Sequence, residues 1–220
     1  MRMHGRPGYV AIALAAVASV TACAARTTTD AIGTPVAATS TAQPGAAQGL
    51  GAREPTVAKT QKWVKIYSGP SAKDIDAPKS TTRGSHTVEL NATPSDLIGT
   101  YVSDGAGRTL YRFDNDSAKP PKSTCNGDCA KTWPPLLIKS PGKIYPKGIN
   151  PKILGYVERA DGHCQVTING WPVYYFAGDQ TPGDFRGQGL KSTWFAVTPT
   201  GGKTHYVFDD PGTTGSVGGY

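Results

Sequence analysis

From about residue 95 onward, apolar and polar positions alternate with a period of two, in short runs separated by Gly, Asn, Asp and Pro. No apolar stripe of period 3.6 lasts for three turns anywhere in that half. Residues 100–113 read as two arms about the Gly-rich turn "GAGR", and residues 156–168 as two arms about "ADGH". Asn169-Gly170, the strongest short hairpin signal, then turns the chain into "WPVYYF", residues 171–176. A last hairpin, residues 194–208, turns at "TGG". The pattern predicts a mainly all-β, antiparallel, hairpin-rich domain over residues 95–210, long enough for one core. Residues 61–94 stay ambiguous between strand and loop. "KWVKIY" (62–67) and "HTVEL" (86–90) alternate as strands do, while the stretch between them is loop-like.

The first sixty residues follow neither period. Arg2 and Arg6 precede an apolar run from Tyr9 to Val20, the charged and apolar regions of an export signal over residues 1–22. Twelve such residues make about 18 Å of helix at ~1.5 Å each, short of a hydrocarbon core of about 30 Å. Val20-Thr21-Ala22-Cys23 resembles a bacterial lipobox, which implies cleavage before Cys23 and a diacylglycerol thioether on its sulfur. Residues 24–60 are rich in Thr, Ala, Pro and Gly and lack aromatics, so they cannot bury enough surface to offset their ordering entropy. Together with Cys23 they read as a lipidated, flexible tether spanning on the order of 35 Å as a coil. Residues 211–220 read as a flexible Gly-rich tail. Cleavage would lower the formal charge from +7 to +5 by removing Arg2 and Arg6. The remaining excess forms no stripe, which argues against a nucleic-acid partner.

Within the β-rich half one pattern occurs twice. "LYRFDND" (110–116) returns as "VYYFAGD" (173–179), so that Tyr111, Phe113 and Asp116 align with Tyr174, Phe176 and Asp179. Trp133 follows the first acid by 17 residues and Trp194 follows the second by 15, each just before an apolar run. A duplicated unit of roughly sixty residues accounts for this, and "YVFDD" (206–210) reads as a worn third copy. In a strand Tyr111 and Phe113 share one face, with Leu110 and Arg112 on the other. Rings of that size are foremost core material, about 150–250 Å² each. The acid lies past the strand end, where its carboxylate can accept backbone N–H groups and hold the exit turn. The rival reading is a binding face of Tyr, Trp and Asp, residue types that stack on sugars and accept their hydroxyl protons.

These residues, with "DGAGRTLY" (104–111), "CNGDCAKTWPPL" (125–136) and "AGDQTPGDFRGQG" (177–189), resemble a group of bacterial lipoproteins. That group is built from a secreted repeat of unknown function carrying a Y-x-[FWY]-x-x-D motif. The resemblance covers about residues 97–200 and the lipidated N-terminus. It implies a location and an architecture, and no activity. Cys164, in "DGHCQ", departs from the group's usual pattern.

With Cys23 given to lipid, Cys125, Cys129 and Cys164 remain. An exported chain meets an oxidising compartment. Residues i and i+4 of a helical turn lie ~6 Å apart, within disulfide range. A Cys125–Cys129 bridge with a reduced Cys164 is therefore expected. The competing use of the pair is redox or soft-metal chemistry with His163 or His205, but no C-x-x-C or C-x-x-C-H motif supports it. Asp114, Asn115 and Asp116, or Asp179 and Asp184, lack the loop spacing of a calcium site. G-x-S-x-G, H-E-x-x-H and phosphate-binding glycine motifs are absent. The sequence therefore points to a non-enzymatic, lipid-anchored envelope module with a binding or structural role, on the extracytoplasmic side of the cell membrane. No metal or cofactor is expected, and the partners expected are the membrane, through the lipid, and an envelope glycan or protein. A redox or metal-handling accessory is the alternative.

Overall fold

The computed structural model describes residues 53–77 and 81–207. The signal segment, Cys23, most of the tether and the tail lie outside them, as do Phe208–Asp210 of the worn third copy. Twelve strands follow in order: β1 Val57–Gln61, β2 Val64–Tyr67, β3 Ser85–Thr93, β4 Tyr101–Asp104, β5 Tyr111–Phe113, β6 Ser117–Ala118 and β7 Pro121–Lys122, then β8 Ile138–Lys147, β9 Leu154–Glu158, β10 Cys164–Ile168, β11 Trp171–Tyr174 and β12 Trp194–Ala196. One short helix, α1 (Asp128–Thr132), and two 3-10 turns, Pro151–Ile153 and Leu190–Ser192, interrupt them. The protein is all-β with two similar repeats.

Two five-stranded sheets, ordered β1-β2-β8-β3-β4 and β12-β5-β11-β10-β9, face one another; β6 and β7 make a small separate ribbon. The core between the sheets is aliphatic. Val64 and Ile66 of β2, Val88 and Leu90 of β3 and Ile144 of β8 meet Val166 and Ile168 of β10 and Val173 of β11. Alternation explains the choice, since Lys65 between Val64 and Ile66 points to solvent. The second sheet is covered on its far side as well, by a separate aromatic cluster.

Three sequence expectations change. Strand β1 occupies residues expected to be tether, and the ambiguous 61–94 segment supplies β2 and β3. These strands are needed because the second sheet alone would leave its aliphatic face in water. The sheets are not purely antiparallel, because β8 pairs in parallel with both β2 and β3. A parallel pair needs a long crossover, and here the chain between β3 and β8 carries the whole first copy of the motif. Alternation in a sequence marks a strand's faces and says nothing about its direction.

The hairpin expected at 100–113 turns as predicted but splits between the sheets. Ser103 pairs with Thr109, after which the chain leaves β4 and enters the second sheet as β5. A buried knot fixes that corner. Asp104 Oδ1 accepts the Ala106 and Arg108 backbone N–H groups, while Oδ2 accepts from Arg108 and from Tyr175 Oη. The 156–168 hairpin forms as β9–β10. Asn169 and Gly170, at φ 50° and 83°, close β10 onto β11 in the primed-turn geometry. A side chain at Gly170 would strike the Ala118 carbonyl.

Candidate functional site

The two motif strands lie side by side. β5 and β11 pair antiparallel with Tyr111 directly opposite Tyr174, so a local two-fold axis passes between them. The rest of the motif follows that axis. Tyr111 Oη donates to Asp179 Oδ2 at 2.7 Å, and Tyr174 Oη donates to Asp116 Oδ2 at 2.7 Å. Each copy's tyrosine is thus held by the other copy's acid. The second oxygens hold loops: Asp116 Oδ1 accepts from Thr124 N and Asp179 Oδ1 from Arg186 N. The carboxylates do accept backbone N–H groups, as expected, and they also bind one copy to the other.

The rings repeat the exchange. Trp133 and Trp194 stack across the axis at 3.8 Å with their planes 2° apart. Phe113 stacks on Trp194 at 4.1 Å, and Phe176 lies on Trp133 at 4.4 Å. The result is one pile of four rings, Phe113–Trp194–Trp133–Phe176, in which each phenylalanine rests on the other copy's tryptophan. Tyr111 and Tyr174 meet their own copy's tryptophan edge-on. Gly187 lets the chain close over this cluster: its N–H donates to Tyr111 Oη, and a Cβ there would lie 2.8 Å from both Trp133 and Tyr111 ring atoms.

A cleft of about 770 Å³ opens along the pile. Its walls come in matched pairs from the two copies: Phe113 with Phe176, Thr132 with Thr193, Trp133 with Trp194. Cys129 and Leu190 occupy matching places; Asn115, Asp128 and Lys191 complete the lining. Within the ring pile the two phenylalanines are part-exposed and the two tryptophans buried. At Leu190–Ser192 the wall is strained: Lys191 and Ser192 both hold φ 53°, a left-handed conformation that side chains disfavour. The matching wall of the first copy is α1, braced by a disulfide. A second cleft, about 400 Å³, lies beside Phe176 and is lined by Arg108, Lys131, Gln180 and Thr181 among others.

A family model described as a secreted repeat of unknown function matches residues 93–137 and again 155–198. Two stretches of the chain are thus similar to this secreted repeat. The matched stretches contain Tyr111, Trp133, Tyr174 and Trp194, the residues that meet across the axis. A secreted repeat belongs outside the cytoplasm, in the envelope or beyond. No curated protein and no solved structure matches the chain. No helix among the described residues is long and apolar enough to cross a membrane.

Cys125 and Cys129 of the first repeat form a disulfide, with Cα atoms 5.2 Å apart. Cys125 is buried in the aromatic cluster, and Cys129 lines the cleft. Cys164 corrects an expectation. A reduced thiol is expected there, but no cysteine among the described residues is free. A small, buried sulfur in a strand looks alike in sequence whether it serves as a hydrophobe or as half of a bridge. No group of three or more His, Cys, Asp or Glu side chains among the described residues is placed to hold a metal.

Sequence reasoning missed the two buried arginines. Arg159 donates to Ser123, Gln165, the Cys125 carbonyl and Asn126, and so ties the disulfide loop to β10. Ser123 in turn bonds Tyr174 Oη. Arg112 lies 3.4 Å over the Trp171 ring and donates to the Gly201 carbonyl and Asp114. Arg112 stands between Tyr111 and Phe113 in the sequence, and that context was the available signal; Arg159, between Glu158 and Ala160 before a turn, carried none.

Burial pushes the Asp179 carboxyl up to about 6, although the bond from Tyr111 works against the shift. Burial raises Asp116 too. Burial and the facing carboxylates hold both tyrosine hydroxyls protonated far above their usual range. A folded pKa raised above the ordinary value of 3.8 means that the folded state holds this proton more tightly. The associated stability is full below that value and is lost as pH rises through about 6. Asp179→Asn has no such proton. The melting temperature of the native protein minus that of the variant should therefore fall between about pH 3.5 and pH 7.5. A flat difference would mean that Asp179 titrates normally.

Proposed function

We propose that this protein is a lipid-anchored, extracytoplasmic binding module of the cell envelope that holds a glycan in the cleft between its two repeats. The observation that carries the reading is the cleft's construction: part-exposed phenylalanine rims flanked by threonine hydroxyls, Asn115, Asp128 and Lys191. Aromatic rims suit the apolar C–H faces of a pyranose, and the polar groups suit its hydroxyl and amide substituents. Strain at Lys191 and Ser192 supports a role for that wall beyond packing. Duplication then has a purpose, since one copy alone supplies half the cleft. The lipobox at Cys23 and the secreted nature of the repeat support the location.

Two readouts on the mature chain test the proposal. Titration with N-acetylglucosamine oligomers should perturb the fluorescence of the stacked tryptophans, and Phe113→Ala should weaken binding by about tenfold or more. Unchanged fluorescence and no heat of binding would leave the cleft without a glycan role. On detergent partitioning, Cys23→Ala should move the protein from the detergent phase to the aqueous phase. A thioether at Cys23 excludes a bridge from that sulfur to Cys164, so recovery of Cys23 from the native protein as a free or disulfide-linked residue would rule out the anchor.

A further inference from the structure

The two clefts meet at one side chain. Phe176 lines the larger, two-fold cleft, and it also lines the smaller one. The chain beside it bridges them in the same way: Thr132 and Trp133 belong to the first lining, Lys131 and Pro134 to the second. One face of Phe176 lies on Trp133. Gly178 also lies against the ring, where any side chain would strike it. The part-exposed rim of Phe176 is therefore a saddle between two recesses, not the end wall of one.

Resting on the glycan reading above, we infer that the two clefts are successive subsites for one linear polysaccharide strand, which crosses from the repeat interface over Phe176 into the cleft beside Arg108 and Lys131. Three observations carry this. The first is continuity, since the recesses share a wall residue and together amount to more space than a single sugar unit needs. The second is charge. The smaller cleft holds Lys131 and Arg108 beside Asp179, the larger holds Lys191 beside Asp128, and Arg108 and Lys131 are already paired to Asp104 and Asp128. Mixed signs spaced among hydroxyl and amide side chains suit an uncharged polyol, whereas a polyanion would call for cations of one sign.

The third observation is direction. The paired rings and threonines of the larger cleft obey the internal two-fold and do not distinguish the two ends of a strand; Asp128 on one wall and Lys191 on the other already depart from it. The smaller cleft breaks that symmetry, because Thr81 and Thr82, which precede the first repeat, form part of its wall. A polysaccharide has chemically different ends, and a site whose own two ends differ can seat it in one orientation.

The test is a length series. The full mature chain in detergent micelles is titrated calorimetrically with N-acetylglucosamine oligomers from two to about six units. Affinity should rise by about tenfold or more as the oligomer becomes long enough to cross Phe176, and then level off. The double variant Gln180→Ala/Thr181→Ala removes two exposed side chains that line the smaller cleft and not the larger. It should bind short oligomers as the native chain does and lose most of the gain with length. If affinity is the same for every oligomer that binds, or if the double variant keeps the full gain, the strand crossing is overturned and a single-cleft glycan site remains. Absence of binding at every length overturns the crossing together with the glycan reading.

Discussion

Trp194→Ala should destabilise the protein by about 3–5 kcal/mol, the range for removing a large aromatic from a packed interior. Trp194 is 2% exposed and lies inside the ring pile, face to face with Trp133 at 3.8 Å and Phe113 at 4.1 Å, with Tyr174 edge-on at 5.2 Å. The cavity would open on the two-fold axis, so neither repeat could collapse to fill it without losing the other's phenylalanine. Trp194→Phe retains one stacking face and should recover part of the loss. Urea unfolding of the three proteins gives the comparison. A loss below about 1 kcal/mol would mean that the pile is peripheral to stability.

Arg159→Ala should cost a similar amount, about 3–5 kcal/mol, for a different reason. The guanidinium side chain is fully buried, and its nearest ionic partner, Asp161, lies at 3.1 Å and is itself 46% exposed. Its four remaining hydrogen bonds, at 2.6–2.9 Å, go to neutral oxygens of Ser123, Gln165, Cys125 and Asn126. Truncation would leave the buried Gln165 and Cys125 oxygens without this donor, each carrying a desolvation penalty of about 1–3 kcal/mol before relaxation or entering water reduces it. Arg159→Lys offers three donors on one nitrogen in place of the planar fork and should recover only part of the stability. Because Ser123 also bonds Tyr174, the damage should reach the axis. Faster reduction of the Cys125–Cys129 disulfide by dithiothreitol in Arg159→Ala is the accompanying sign. A variant as stable as the native protein, with an unchanged reduction rate, would show that water replaces the guanidinium at no cost.

Both effects concern residues whose roles had unequal traces in the sequence. Trp194 could be found by counting, because the aromatic pattern recurs at a fixed offset and large rings at strand spacing are core material. Arg159 could not, since a lone arginine before a turn is usually solvated. Its burial follows from the disulfide loop that folds over it, a contact between segments 34 residues apart. Asp116 and Asp179 fall between the two. Their position past the strand ends marks them as loop-holding acids, but nothing local predicts that each takes the other repeat's tyrosine.

Local pattern alone determined that the chain is β-rich, that it carries its unit twice, where the Asn169-Gly170 hairpin turns, and that Cys125 and Cys129 can reach each other. All of these depend on residues within a few positions or on simple recurrence. Tertiary structure decided what depends on pairing between distant segments: the parallel placement of β8 and the recruitment of β1, β2 and β3 as a covering sheet. It also decided the crossed Tyr–Asp bonds and the four-ring pile with its cleft. A motif repeated in sequence is equally compatible with two units that each close on themselves and with two that close on each other. Here Tyr111 sits opposite Tyr174 in one antiparallel ladder, which sends each hydroxyl to the far copy's carboxylate. Strand register across the axis is a property of the assembled sheet, and that is why the second arrangement could be seen only in the fold.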